Sequence, residues 1–196
     1  MCMRQLQPLF PQPVLIENIP GTWLDQAKKT EYSLAPGFQQ TTGDIHKSTE
    51  WMPLAEKILY LAREGYANEV GYDPDSIYIS NMWINRFDSN GTIHPHFHSN
   101  SLFSCVMYLD DHGVGTSFYR PDPIAHHPTN MISTQWNWND YTTKPTQYDI
   151  VFFPSHLRHN SRPCASTRYT LSANFVSDSY GSKTKFNWGH PDTNEH

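Results

Sequence analysis

The sequence predicts a mainly β chain with helices confined to its N-terminal part, an α+β arrangement in which one helix covers a sheet of a sandwich or barrel. Three observations lead there. Aromatics make up 14% of the 196 residues and prolines number 15, which suits short strands and turns more than a helical bundle. Apolar residues recur at helical spacing only between Pro53 and Val70. Beyond residue 75, β-rich runs follow one another, separated by Asp, Gly, Pro and Asn.

Taken in order, PVLIENI (13–19) reads as a strand stopped by Pro20 and Gly21. A short helix follows from Trp23 to Thr30. Residues 31–50 mix Gly, Ser, Thr and Gln without a period and read as loop. Leu54, Ile58, Leu61, Ala62 and Tyr66 share a helical face, and Pro53 suits a first turn, so 53–70 is the main helix. SIYISNMWINRF (76–87), SLFSCVMYL (101–109), GTSFYR (115–120), DIVFFP (149–154) and TRYTLSANFV (167–176) read as strands. KTKFNWGHPDTNEH reads as a polar tail packed through Phe186 and Trp188. The expected organisation is one domain over 1–196, with a helical part to residue 75, a strand core over 76–178 and the tail.

Composition narrows the function. A formal net charge of −5 argues against broad electrostatic binding to nucleic acid. Cys2, Cys105 and Cys164 are scattered, without CxxC spacing, so neither a disulfide framework nor a thiolate zinc site is indicated. A reducing, cytoplasmic setting is expected. The opening MCMRQLQPLFPQP lacks a basic region followed by an apolar run, and no segment is apolar over the length of a membrane span.

The chemistry concentrates in HPHFHSNS (94–101). On a strand, His94, His96 and His98 emerge on one face, either decorating a solvated surface or gathering imidazoles around a metal ion. A metal would need a further ligand from another strand. In FFPSHLRHNSRP, His156 and His159 follow an apolar run, at the mouth of a buried strand. His126 and His127 sit in a proline-flanked loop, where neighbouring side chains diverge. His46, His112, His190 and His196 read as solvated. Nine residues after His159, Arg168 opens a strand on which Thr170 shares its face. An inward Arg needs a carboxylate or other anion, which its planar fork suits; otherwise it is a surface Arg in a salt bridge.

Together these residues resemble the Fe(II)- and 2-oxoglutarate-dependent dioxygenases, closest to a group of small oxygenases of bacteria and phages with the pattern W.N, H.H..S..SGV.YL, GD...FPS...H, R.S.SFN. The corresponding residues are Trp83 and Asn85; His96, His98, Ser101, Ser104, Tyr108 and Leu109; Asp149, Phe153, Pro154, Ser155 and His159; and Arg168, Thr170, Ser172, Asn174 and Phe175. The resemblance spans about residues 80–176. Cys105 and Tyr148 stand where the group has Gly. His98 stands where most such enzymes place a carboxylate, and the match leaves His94 outside the ligand pair.

The resemblance implies a double-stranded β-helix (jelly-roll) fold and Fe(II) held by His96, His98 and His159. It also implies 2-oxoglutarate bound by the metal and by Arg168, with Tyr108, Thr170 and Asn85 assisting, and O2 as co-reactant. Decarboxylation to succinate and CO2 would accompany hydroxylation of a substrate; halogenation, demethylation and desaturation use similar sites. The alternatives are a cupin-like metal-binding protein, a 2-oxoglutarate-independent three-histidine dioxygenase, or a structural protein that kept the fold without catalysis. The substrate class (small molecule, peptide or nucleobase) and the oligomeric state are not written in these residues. Trp136, Trp138 and Tyr141 read either as a pocket rim or as sheet packing.

Overall fold

The computed structural model describes residues 10–35, 38–126, 128–129 and 131–178. Cys2, His127, His190, His196 and the tail with Phe186 and Trp188 lie outside the described residues. In chain order the main elements are β1 (Leu15–Asn18), α1 (Trp23–Lys29), β2 (Ser33–Ala35), β3 (Phe38–Gln40), α2 (Met52–Tyr60), β4 (Ile77–Phe87) and β5 (Ile93–His96). They continue with β6 (Phe103–Tyr108), β7 (Thr116–Tyr119), β8 (Asp140–Thr142), β9 (Asp149–Pro154), β10 (His159–Ser161) and β11 (Arg168–Ser177).

The strands form two antiparallel sheets, ordered β1-β9-β6-β11-β4-β3-β2 and β5-β10-β7-β8. Val106, Tyr108, Val151 and Phe153 of the larger sheet pack with Phe118 of the smaller one, closing the jelly roll. The larger sheet's other face carries the helices. α2 begins with Pro53 in its first turn and runs on through a π-helical stretch (Leu61–Ala67) into α3 (Asn68–Val70), where Gly71 ends it at φ 81°. Leu54, Ile58, Ala62 and Tyr66 are buried here, and the Tyr66 ring lies 4.7 Å from Phe103, which stacks on Phe175 at 4.7 Å.

This two-sided cover explains why the central strands lack alternation. All six residues of β6 are buried, as are five of six in β9, so both faces must be apolar or internally hydrogen-bonded. Cys105 packs on the helical side, where burial pushes its thiol pKa up and leaves it neutral. Tyr148 keeps the turn that a glycine would make, at φ 67°, with its N–H donating to the Tyr108 carbonyl at 2.7 Å.

The segment 31–50, expected as loop, instead contains the β2–β3 hairpin and a short 3-10 turn (Ile45–Lys47). β3 extends the large sheet by pairing with β4, Gln40 opposite Asn85. β8 and β10 are also additional to the expected strands, and β5 covers only the start of the histidine stretch weighed as a strand, ending at His96. They are three or four residues long and rich in polar side chains, so they carry little apolar period of their own.

Candidate metal centre

Among the described residues, His96, His98 and His159 form a group whose possible ligand atoms all lie within 4.8 Å of one another. The pairing of β5 with β10 sets His96 directly opposite His159, and their rings are 4.4 Å apart. His98 follows two residues on, past the end of β5, anchored by its N–H to the Ser155 carbonyl at 2.9 Å; its ring is 5.0 Å from His159 and 5.3 Å from His96. His94 is exposed and outside the group.

Each imidazole is held through Nδ1. His96 Nδ1 meets the His94 carbonyl at 2.8 Å, His159 Nδ1 meets the Leu157 carbonyl at 2.8 Å, and His98 Nδ1 meets Asn174 Oδ1. Carbonyl oxygens only accept, so Nδ1 carries a proton in each ring and Nε2 is the nitrogen left to ligate a metal. Burial holds His98 below the usual histidine range and His159 at about 3, with neighbouring imidazoles adding to both, so these two rings are neutral near pH 7.

The triad borders a cavity of about 160 Å³. Its wall is the inner face of the large sheet, where β11 presents Thr170 and Ser172, β4 presents Trp83 and Asn85, and β3 adds Phe38 and Gln40. Gln40 Nε2 donates to Asn85 Oδ1 at 2.9 Å, so what Asn85 has left to offer is its N–H pair. Gln40 and Phe38 are site residues that the sequence reading missed. The usable signal was the Pro36-Gly37 dipeptide between FQQ and SLA, a turn marker flanked by short strand-compatible runs. A wider groove of about 610 Å³ runs beside α1, lined by Asp25, Lys29 and Glu50 among others, away from the histidines.

Arg168 begins the same face of β11, two residues before Thr170 and opposite Phe87. Its side chain is almost fully buried, with the guanidinium 4.4 Å from the Phe87 ring centroid. One terminal nitrogen donates to the Arg162 carbonyl and the other, at 3.5 Å, to that of Val114; Nε is buried without a partner. Such a fork retains donor capacity for an incoming carboxylate.

Tyr108 lies opposite Thr170 on β6, and its hydroxyl is already engaged. It donates to Thr116 Oγ1 at 2.8 Å, accepts from Thr116 N–H at 2.9 Å and lies 3.0 Å from Thr143 Oγ1. Thr116 N–H also reaches Thr143 Oγ1, so Tyr108→Phe strands no backbone donor. Its expected cost is about 1 kcal/mol, one ordinary hydrogen bond, read by urea unfolding. A loss above about 3 kcal/mol would mean that a buried group is left unsatisfied. Trp138 and Tyr141 stack on each other at 5.5 Å and are partly exposed.

A family model described as "Putative 2OG-Fe(II) oxygenase" matches residues 81–175. No curated protein matches. Among solved structures, a Pseudomonas putida prolyl-4-hydroxylase aligns at 13% identity over 85% of this chain and 93% of that one, with a TM-score of 0.60. HygX from Streptomyces hygroscopicus, solved with nickel and 2-oxoglutarate bound, aligns at 10% identity over 85% of this chain and 84% of that one, TM-score 0.59. An oxidoreductase of the 2OG-Fe(II) oxygenase family from Burkholderia pseudomallei aligns at 18% identity over 62% of this chain and 55% of that one, TM-score 0.44. At these identities the structural likeness is one of fold, a jelly roll, and over residues 81–175 the chain is similar to the family described as 2OG-Fe(II) oxygenases.

Proposed function

We propose that this protein is a 2-oxoglutarate-dependent dioxygenase that hydroxylates its substrate, with Fe(II) held by Nε2 of His96, His98 and His159. The observation that carries this reading is the pairing of two unmet capacities on one inner face. Three imidazoles converge, each held at Nδ1 so that Nε2 is left to ligate, and beyond Thr170 a buried arginine keeps an unpartnered Nε. Neutral imidazoles suit Fe(II), and ligation from one side leaves coordination positions open.

When bound, Fe(II) and 2-oxoglutarate supply the oxidising chemistry: O2 delivers one oxygen atom to a substrate C–H bond and the other to the succinate formed as CO2 leaves. The chain's own residues orient and exclude. Arg168 receives the remote carboxylate of 2-oxoglutarate, while Thr170 and the Asn85 amide provide neutral donors along the wall. Trp83, Phe38 and Phe153 keep the cavity apolar, which limits water at the reacting atoms.

A cupin-like or 2-oxoglutarate-independent centre would give Arg168 no carboxylate to meet. Anaerobic Fe(II)-loaded protein should therefore develop a visible charge-transfer band on adding 2-oxoglutarate and, with O2, release succinate. Stoichiometric Fe(II) binding with neither band nor succinate would favour the 2-oxoglutarate-independent alternative. The membrane plays no part in this reading: among the described residues, no helix is long and apolar enough to cross one.

A further inference from the structure

We propose that Asn174 is the positioning residue that makes His98 a metal ligand, and that a one-way chain of serine hydroxyls fixes it in the required orientation. The proposal rests on the three-histidine reading of the centre and concerns the position where most relatives are expected to place a carboxylate.

The three ligands are not oriented alike. His96 and His159 each bond the backbone carbonyl two residues earlier, a contact that no side-chain substitution removes. His98 instead meets a side-chain amide 76 positions away, Asn174 Oδ1 on β11, with Ser104 Oγ as a longer second neighbour at 3.3 Å. That oxygen also accepts from Ser104 Oγ at 2.7 Å. Ser104 Oγ lies 2.7 Å from Ser155 Oγ, and Ser101 Oγ donates to Ser155 Oγ at 2.8 Å.

Proton counting sets the direction. A serine hydroxyl has one proton, and that of Ser104 goes to Asn174, so Ser155 donates to Ser104 and Ser101 to Ser155. Ser104 and Ser155 have no exposed surface, and water cannot readily substitute for a missing link. Turning the Asn174 amide over would direct an N–H at Ser104 and take away the acceptor of the Ser104 proton, leaving it only the longer 3.3 Å approach to His98 Nδ1 or a reversed bond to Ser155. It would also direct an N–H at His98 Nδ1, moving the imidazole proton to Nε2, where it blocks the metal. The serine chain thus selects the His98 tautomer that can ligate. An amide does so without adding charge to the centre.

Two measurements test this. In metal-free wild-type protein with ¹⁵N-labelled histidine, His98 is expected as the Nδ1-protonated tautomer; an Nε2-protonated His98 would overturn the proposal without any variant. Co(II) titration followed by its d–d absorption then compares variants. Asn174→Leu, which cannot accept, should weaken Co(II) by roughly 10- to 100-fold. Asn174→Asp keeps the acceptor and should retain wild-type affinity or better, with shifted d–d bands reporting a more basic imidazole, a signature that a merely structural role would not produce. Ser104→Ala should give a smaller loss, and it serves if Asn174→Leu does not fold. Wild-type affinity in both Asn174→Leu and Ser104→Ala would refute the role of Asn174. Failure of wild-type protein to bind Co(II) would instead refute the three-histidine centre on which it rests.

Discussion

His159→Ala is expected to abolish stoichiometric Fe(II) binding, with a loss well beyond the roughly 10- to 100-fold that removal of an outer-sphere partner brings. His159 is the most buried of the three imidazoles, and it is tied on every side. Its Nδ1 bonds the Leu157 carbonyl, its ring meets Phe153 at 4.6 Å, and β10 holds it opposite both His96 and Phe118. Alanine leaves two ligands, and among the described residues no other His, Cys, Asp or Glu joins the group to replace the third. Because the ring also fills space, the variant should be checked by thermal unfolding, with His159→Gln preserving bulk. His94→Ala is the matched control. His94 contributes its carbonyl to His96, and truncating its exposed side chain leaves that contact in place, so metal content should be unchanged. Full iron occupancy in folded His159→Ala would sink the assignment. Loss of iron in His94→Ala, with retention in His98→Ala, would shift the ligand pair by two residues.

What the sequence made legible follows from burial. β6, β9 and β11 lie between helices and the smaller sheet, so their apolar runs stand out against the turn residues around them. β5 and β10 bring His96 and His159 to the cavity while their other residues are partly exposed, so HPH and HNS carry no apolar period of their own. The histidine triplet nevertheless remained visible, although one-face alternation accounts for only part of it: β5 ends at His96, His98 reaches the group from beyond the strand and His94 stays outside it. His159 was marked by the end of an apolar strand. Gln40 and Phe38 were hidden because a three-residue strand at a sheet's edge is too short to display a period. The serine chain was hidden for a different reason. Ser101 and Ser104 stand in one segment, but Ser155 and Asn174 come from two others, and only the register between β6, β9 and β11 brings Ser104 beside Asn174 and opposite Phe153.

Arg168→Ala should leave Fe(II) binding intact and weaken 2-oxoglutarate by about 1.5 to 3 kcal/mol, roughly tenfold to a few hundredfold. The guanidinium is not among the residues bordering the cavity, and its two terminal nitrogens face the carbonyls of Arg162 and Val114. A rival role follows from that geometry: the arginine could simply tie the start of β11 to those carbonyls. The unpartnered Nε supports the proposed cosubstrate role, because a buried donor without an acceptor is costly unless a ligand supplies one. Anaerobic titration of the Fe(II) protein with 2-oxoglutarate, alongside urea unfolding, separates the two. A functional arginine moves the cosubstrate affinity more than the stability, whereas a structural one moves stability alone. Arg168→Lys sharpens the contrast: it keeps the charge but loses the planar fork and the stacking on Phe87, so its affinity should fall between wild type and Ala. Unchanged 2-oxoglutarate affinity in folded Arg168→Ala would assign the residue to the fold. It would also remove the chief reason for preferring a 2-oxoglutarate-dependent site over a three-histidine centre without that cosubstrate.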